Sequence, residues 1–132
     1  MKSLVVDDDD VSRDVIQAIL SKFGECDGAK NGEEAVTLFQ NAWSIGLPYE
    51  LISMDIMMPQ MDGIKTLERI RILENDKEIP DEKKVKIIMV TCKSDPENVK
   101  QSMLKGCNQF IVKPVKKKVL KEKLKNLGFP VI

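Results

Sequence analysis

The sequence predicts a doubly wound α/β domain, a five-stranded parallel sheet with five helices packed on its faces. Three observations predict it. Five short apolar or β-rich runs alternate with five amphipathic stretches, the pattern of successive βα units. Most of the apolar runs are continuous rather than alternating, as in strands buried on both faces. Carboxylates, a threonine and a lysine stand where those runs end, at the edge where open parallel sheets bind ligands. The 132 residues fit one domain, and 1–132 is read as a single unit.

Leu4-Val5-Val6 is the first strand, stopped by Asp7-Asp8-Asp9-Asp10. Val11, Val15, Ile16, Ile19, Leu20 and Phe23 follow at helical spacing, and Gly24 closes that helix. Residues 25–30 form a weak second strand. Asn31 suits a helix N-cap, with Glu34 three residues on in a capping-box pattern. Ala35, Val36, Leu38, Phe39 and Trp43 give that second helix its apolar face, and Gly46-Leu47-Pro48 breaks it. Leu51-Ile52-Ser53-Met54 is the third strand, ending at Asp55. Met61-Asp62-Gly63 turns into a third helix carrying Ile64, Leu67, Ile70, Ile72 and Leu73. Residues 75–84 are polar, contain Pro80, and read as an exposed loop. Residues 85–90 are a strongly apolar fourth strand. Ser94-Asp95-Pro96-Glu97 opens a fourth helix, which stops at Gly106. Phe110-Ile111-Val112 is the fifth strand. Val115, Val119, Leu120, Leu124 and Leu127 mark the last helix, closed by Gly128 and Pro130.

Composition excludes several functions. Net charge is zero, so nothing global draws the chain to nucleic acid. The lysines between positions 113 and 125 lack interleaved aromatics for base stacking and read as a solvated helix face. The apolar runs are too short to span a bilayer, and the N-terminus lacks a signal-peptide pattern. A cytoplasmic protein with no membrane contact is therefore expected. Cys26, Cys92 and Cys107 follow no motif spacing and read as reduced thiols. The chain has no histidine, which removes His-based triads, His general bases and Cys/His zinc sites.

The chemistry lies at the strand ends. Asp7-Asp8 follow the first strand, Asp55 ends the third, Thr91 the fourth and Lys113-Pro114 the fifth. Three gathered carboxylates repel one another, and a divalent cation relieves that repulsion. An all-oxygen donor set suits magnesium, which keeps several waters and completes its shell with phosphate; manganese is a substitute. An aspartate in such a site is a candidate nucleophile for an aspartyl-phosphate. A lysine ammonium and a threonine hydroxyl would share the charge on the oxygens of a transferring phosphoryl group. No histidine is needed.

Four motifs then stand in order: Val5-Val6-Asp7-Asp8, Met54-Asp55-Ile56-Met57-Met58-Pro59 with Met61-Asp62-Gly63, Met89-Val90-Thr91, and Phe110-Ile111-Val112-Lys113-Pro114. Together they resemble the receiver domain of two-component response regulators, the CheY-like family, over nearly the whole chain. The resemblance implies a flavodoxin-like strand order 2-1-3-4-5. It implies that Asp55 is the phosphoacceptor, that Asp8 ligates magnesium directly and Asp7 partly through water, and that the Met57 carbonyl is a further ligand. Thr91 would bond the phosphoryl oxygen, Lys113 would pair with it, and Phe110 would be the aromatic switch that turns inward with Thr91. The Lys113–Pro114 peptide is implied to be cis.

The implied partners are a histidine kinase or histidine phosphotransfer protein and an unidentified output partner. The output would be read on the fourth helix, fifth strand and last helix, in a monomer or a phosphorylation-dependent homodimer. The chain would be a signalling receiver that catalyses only its own phosphorylation and dephosphorylation. Phe110 replaces the commoner Tyr, and Cys92 the commoner Ala. Met57 and Lys93 flank the expected phosphoryl position and would shield it from water, which predicts slow loss of phosphate. A magnesium-dependent phosphohydrolase would need a second acid two residues after its nucleophile, where Met57 stands. A phosphate-independent module of the same fold would be expected to lack one of the acids, Thr91 or Lys113, and none is missing.

Overall fold

The computed structural model describes residues 1–58, 61–92 and 95–131. Strands β1 (Ser3–Val6), β2 (Cys26–Ala29), β3 (Leu51–Asp55), β4 (Lys86–Thr91) and β5 (Gln109–Val112) form one sheet in the order β2-β1-β3-β4-β5. Every pairing is parallel. The connecting helices are α1 (Asp10–Leu20), α2 (Gly32–Ser44), α3 (Gly63–Asp76), α4 (Pro96–Leu104) and α5 (Lys117–Asn126). From β1 the chain steps outward to β2, then returns past β1 to β3. The connections leaving β1 and β3 therefore diverge and open a crevice at their carboxyl ends.

Alternation along each strand divides the core in two. Leu4, Val6, Ile52, Met54, Ile87 and Met89 pack beneath Ala35 and Phe39 of α2 and Leu67 and Ile70 of α3. Val5, Leu51, Ile88, Val90 and Ile111 pack on the other side against Ile16 and Leu20 of α1 and Leu120 and Leu124 of α5. Both faces are covered, so the central strands need apolar residues at nearly every position. The starts of α1, α2 and α3 are set by side-chain caps. Asp9 accepts from Val11 N, Asn31 from Glu34 N and Asp62 from Lys65 N.

The structure differs from the sequence expectation at several points. Val11 is 71% exposed and Val15 is also exposed. They lie one residue before the i, i+4 row that includes Ile16 and Leu20, about 100° round the helix and off the sheet. Ile72 is likewise exposed. Helix α3 runs through Asn75 to Asp76, so the polar loop begins later than expected and contains the buried Ile79 and a 3₁₀ turn at Asp81–Lys83. The cause is Glu74, fully buried at the helix end. It pairs with Arg71 at 2.6 Å and accepts from Val85 N at 2.7 Å, tying α3 to the entry of β4. Ser94 lies outside the described residues. Among the described residues the Asp95 carboxylate caps no backbone N–H and instead accepts from the Asn98 side chain. Val115 precedes α5 rather than starting it.

Candidate functional site

The run of four aspartates is sorted by the end of β1 into four different environments. Asp7 N donates to Ala29 O at 3.0 Å, which extends the ladder by one residue and leaves Asp7 only 1% exposed. Its Oδ1 accepts from Asp9 N at 2.9 Å. Asp8 is exposed. Asp9 caps α1 and accepts from Ser12 Oγ at 2.9 Å. Asp10, inside the first turn, pairs with Arg13 at 2.5 Å.

Asp55 closes β3 and is 4% exposed. Its Oδ1 accepts from Met57 N at 3.3 Å, and its Oδ2 from Lys113 Nζ at 3.3 Å. The same ammonium lies 3.3 Å from Asp7 Oδ2. That oxygen is buried and, among the described residues, accepts no hydrogen bond. Asp7, Asp8 and Asp55 each offer a carboxylate oxygen, all within 4.8 Å of one another. Burial and then the Asp7 charge push the Asp55 carboxyl up to about 6, against the opposing pull of Lys113. Burial alone would lower the Lys113 ammonium, but the Asp55 and Asp7 charges outweigh it and hold it above its ordinary value. One ammonium cannot neutralise three carboxylates. An all-oxygen cluster with an orphaned buried lone pair therefore fits a hard divalent cation such as magnesium.

Thr91 ends β4, is buried, and donates from Oγ1 to the Cys92 carbonyl at 3.3 Å. Its own carbonyl accepts from Lys113 N at 2.8 Å, which draws the end of β5 toward β4. The Lys113–Pro114 peptide is cis. Phe110 lies at the surface, 36% exposed, with Lys123 Nζ 5.5 Å from its ring centroid. Met57, two residues after Asp55, is 58% exposed. Lys93 and Pro59 lie outside the described residues.

Asp7, Asp8, Asp55 and Lys113 thus converge, with Thr91 joined to Lys113 through its own carbonyl, while Phe110 stands apart on the outer surface. Two more residues support the site: Gly63, read from the sequence only as part of a turn, and Arg13, which the sequence alone does not single out. A Cβ on Gly63 would fall 2.1 Å from the Asp55 carbonyl oxygen, so the Met61-Asp62-Gly63 turn needs glycine for close approach to the strand bearing Asp55. Arg13 donates from Nη1 to the Asp7 carbonyl at 2.8 Å. Its only sequence signal is an Asp-Arg pair three apart in the first turn of α1.

Comparison with known proteins places this arrangement. The family model for the response regulator receiver domain matches residues 3–125. The chain is 37% identical over 127 residues to chemotaxis protein CheY1 of Helicobacter pylori, covering 94% of each. Among solved structures it superposes with a TM-score of 0.80 and 28% identity on a complex of Saccharomyces cerevisiae, the histidine phosphotransfer signalling protein Ypd1 with the receiver domain of its downstream response regulator Ssk1. That match covers 97% of this chain and 88% of that one. It also superposes with a TM-score of 0.79 and 29% identity on the CheX–CheY–BeF3–magnesium complex of Borrelia burgdorferi, covering 98% and 90%.

Proposed function

The chain belongs to the response regulator receiver family, and from that premise we propose that Asp55 is its phosphoacceptor. The observation that carries the reading is the buried Asp55 carboxylate, bonded to Lys113 and gathered with Asp7 and Asp8. Asp7, Asp8, Asp55 and the Met57 carbonyl would hold magnesium. Bound there, the ion would neutralise charge on the phosphoryl oxygens.

The chain's own residues do the rest. Asp55 attacks through a carboxylate oxygen, an O–P bond forms as the donor's P–N bond breaks, and the leaving imidazole is reprotonated. A carboxyl that titrates near 6 is mostly ionised at neutral pH and remains a competent nucleophile. Lys113, already 3.3 Å from Asp55 Oδ2, follows the negative charge onto the phosphoryl group. Thr91 exchanges its bond to the Cys92 carbonyl for one to a phosphoryl oxygen, and that exchange couples the site to β5 and Phe110. The P–N donor is a phosphohistidine of a kinase or phosphotransfer protein, the class of partner seated on the yeast receiver. The chain works as a cytoplasmic signalling receiver whose only catalysis is on itself. Among the described residues no helix is long and apolar enough to cross a membrane.

Incubation with acetyl phosphate and magnesium, followed by intact mass, tests the reading. One phosphoryl group should be gained by the wild type, and none by Asp55→Asn or in EDTA. Met57 and Lys93 slow water attack on the product, so its decay should be slower than in a Met57→Asn, Lys93→Glu double variant. Equal decay rates would remove the shielding role, and phosphorylation of Asp55→Asn would remove the assignment.

A further inference from the structure

Asp7 and Asp8 differ in how they are held. Asp7 is fixed on three sides: its N–H by Ala29 O, its Oδ1 by Asp9 N and its carbonyl by Arg13 Nη1. Asp8 is exposed, and among the described residues its carboxylate has neither a hydrogen bond nor an ion pair to aim it. The Asp7 carbonyl, however, belongs to the peptide unit that joins Asp7 to Asp8. Because that unit is planar, fixing its oxygen fixes the plane from which the Asp8 Cα–Cβ bond departs.

Arg13 is built for that task. Its side chain is only 17% exposed. Its planar fork places one nitrogen 2.8 Å from the Asp7 carbonyl and the other 2.5 Å from Asp10 Oδ1. Asp10 is 82% exposed, so the ion pair itself stabilises little. What it does is lock the guanidinium plane, which leaves Nη1 pointing at the carbonyl. The third and fourth aspartates thus support the first two. Asp9 orients the Asp7 carboxylate through its N–H, and Asp10 orients Arg13.

We propose that Arg13 is a positioning residue for metal binding, holding the Asp7–Asp8 peptide so that the Asp8 carboxylate faces Asp7 and Asp55. This rests on the reading of those carboxylates as the metal site. The proposal has a sign that separates it from simple electrostatics. Arg13 is a cation beside a cation site, so on charge alone its removal would tighten metal binding. As a positioning residue its removal loosens binding, as loss of an outer-shell partner does by about tenfold or more.

The test is Mn2+ binding to the whole chain, read from the free-ion signal in electron paramagnetic resonance. Arg13→Met keeps the aliphatic stem and removes the charge and both donors, and it should bind about tenfold more weakly. Arg13→Lys keeps the charge but replaces the fork with a single ammonium, and should fall between Arg13→Met and the wild type. Thermal unfolding in EDTA checks that each variant is folded, and Arg13→Lys alone decides the matter if Arg13→Met is not. Asp8→Asn serves as the control that reports the site. Arg13 variants that bind as tightly as wild type or tighter, while Asp8→Asn binds weakly, would overturn the positioning role and leave the metal site standing. A wild type that binds no Mn2+ would overturn both.

Discussion

At the scale of single residues, the site shows how position converts one residue type into several tools. Asp7, Asp8, Asp9 and Asp10 are chemically identical and adjacent, yet one is buried, one exposed, one a helix cap and one an arginine partner. Asp55 carries the clearest electrostatic signature. Its carboxyl is raised from 3.8 to about 6, by burial first and by Asp7 second. A folded-state value above the unfolded one means that the folded protein holds the proton more tightly. The associated stability is therefore full below the ordinary value and is lost as pH rises through about 6. In EDTA, the stability of the wild type should fall between pH 4 and pH 6.5, and Asp55→Asn should abolish most of that slope and be the more stable protein at pH 7. Urea titrations across this range decide the point. A wild type that gains stability over the interval, relative to Asp55→Asn, would contradict the assignment of the shift.

At the scale of elements, the helices facing the site are held by caps and close approach, and the far end of the sheet by a buried polar network. Gly63 starts α3 against the carbonyl of Asp55. At the opposite pole Arg71 donates to Glu74, Val85 O, Gly106 O and Asn108 Oδ1. Asn108 Oδ1 also accepts from Ile87 N, and Glu74 from Val85 N. The network binds α3, the start of β4 and the turn between α4 and β5 into one unit. Arg71→Met would strand a fully buried carboxylate and should cost about 3 kcal/mol, the lower end for breaking a buried pair from one side. Arg71→Met combined with Glu74→Leu should recover much of that loss, because no charge is then left unpaired. Chemical denaturation of the single and double variants measures both. A single variant within 1 kcal/mol of wild type would show that the network is not a stabilising anchor.

At the scale of the whole molecule, the site sits over the β1/β3 switch point, and the elements nearest Thr91 lie on one side of it. Thr91 pairs with Val112 across the β4–β5 ladder, and Phe110 pairs with Met89 two residues earlier. Phosphorylation of Asp55 as proposed would exchange one carboxylate charge for the roughly two of a phosphoryl group, a net gain of about one, and Thr91 would pass the effect first to β5. Phe110, Val112, Met103 and Leu104 already expose apolar surface on β5 and α4. On phosphorylation, amide resonance shifts should therefore concentrate in α4, β5 and α5. Shifts confined to α2, which packs over β1 and β2 on the other side of the site, would place the readout elsewhere.

Much of this organisation is legible in the chain itself. The alternation of apolar runs and helical stretches specifies the βα units, since burial on both faces demands continuous apolar strands. The parallel topology then sends each strand's last residue to the same edge, which is why Asp7, Asp8, Asp55, Thr91 and Lys113 are legible as a group without coordinates. What pattern reading could not reach depends on contacts between distant segments. Val11, Val15 and Ile72 satisfy a helical apolar pattern and are nevertheless exposed, because periodicity states which residues share a face but not how wide a stripe the sheet will cover. The Arg71–Glu74 network joins residues up to 37 positions apart, and α3 extends to Asp76 because Glu74 finds Val85. Arg13 and Gly63 are local in sequence, but their partners are backbone carbonyls, which every residue carries and no sequence distinguishes. Hydrophobic order along the chain determined the fold and, through it, which strand-end residues share one edge. Packing decided which carboxylates are buried, what aims them, and which surfaces are left to meet a partner.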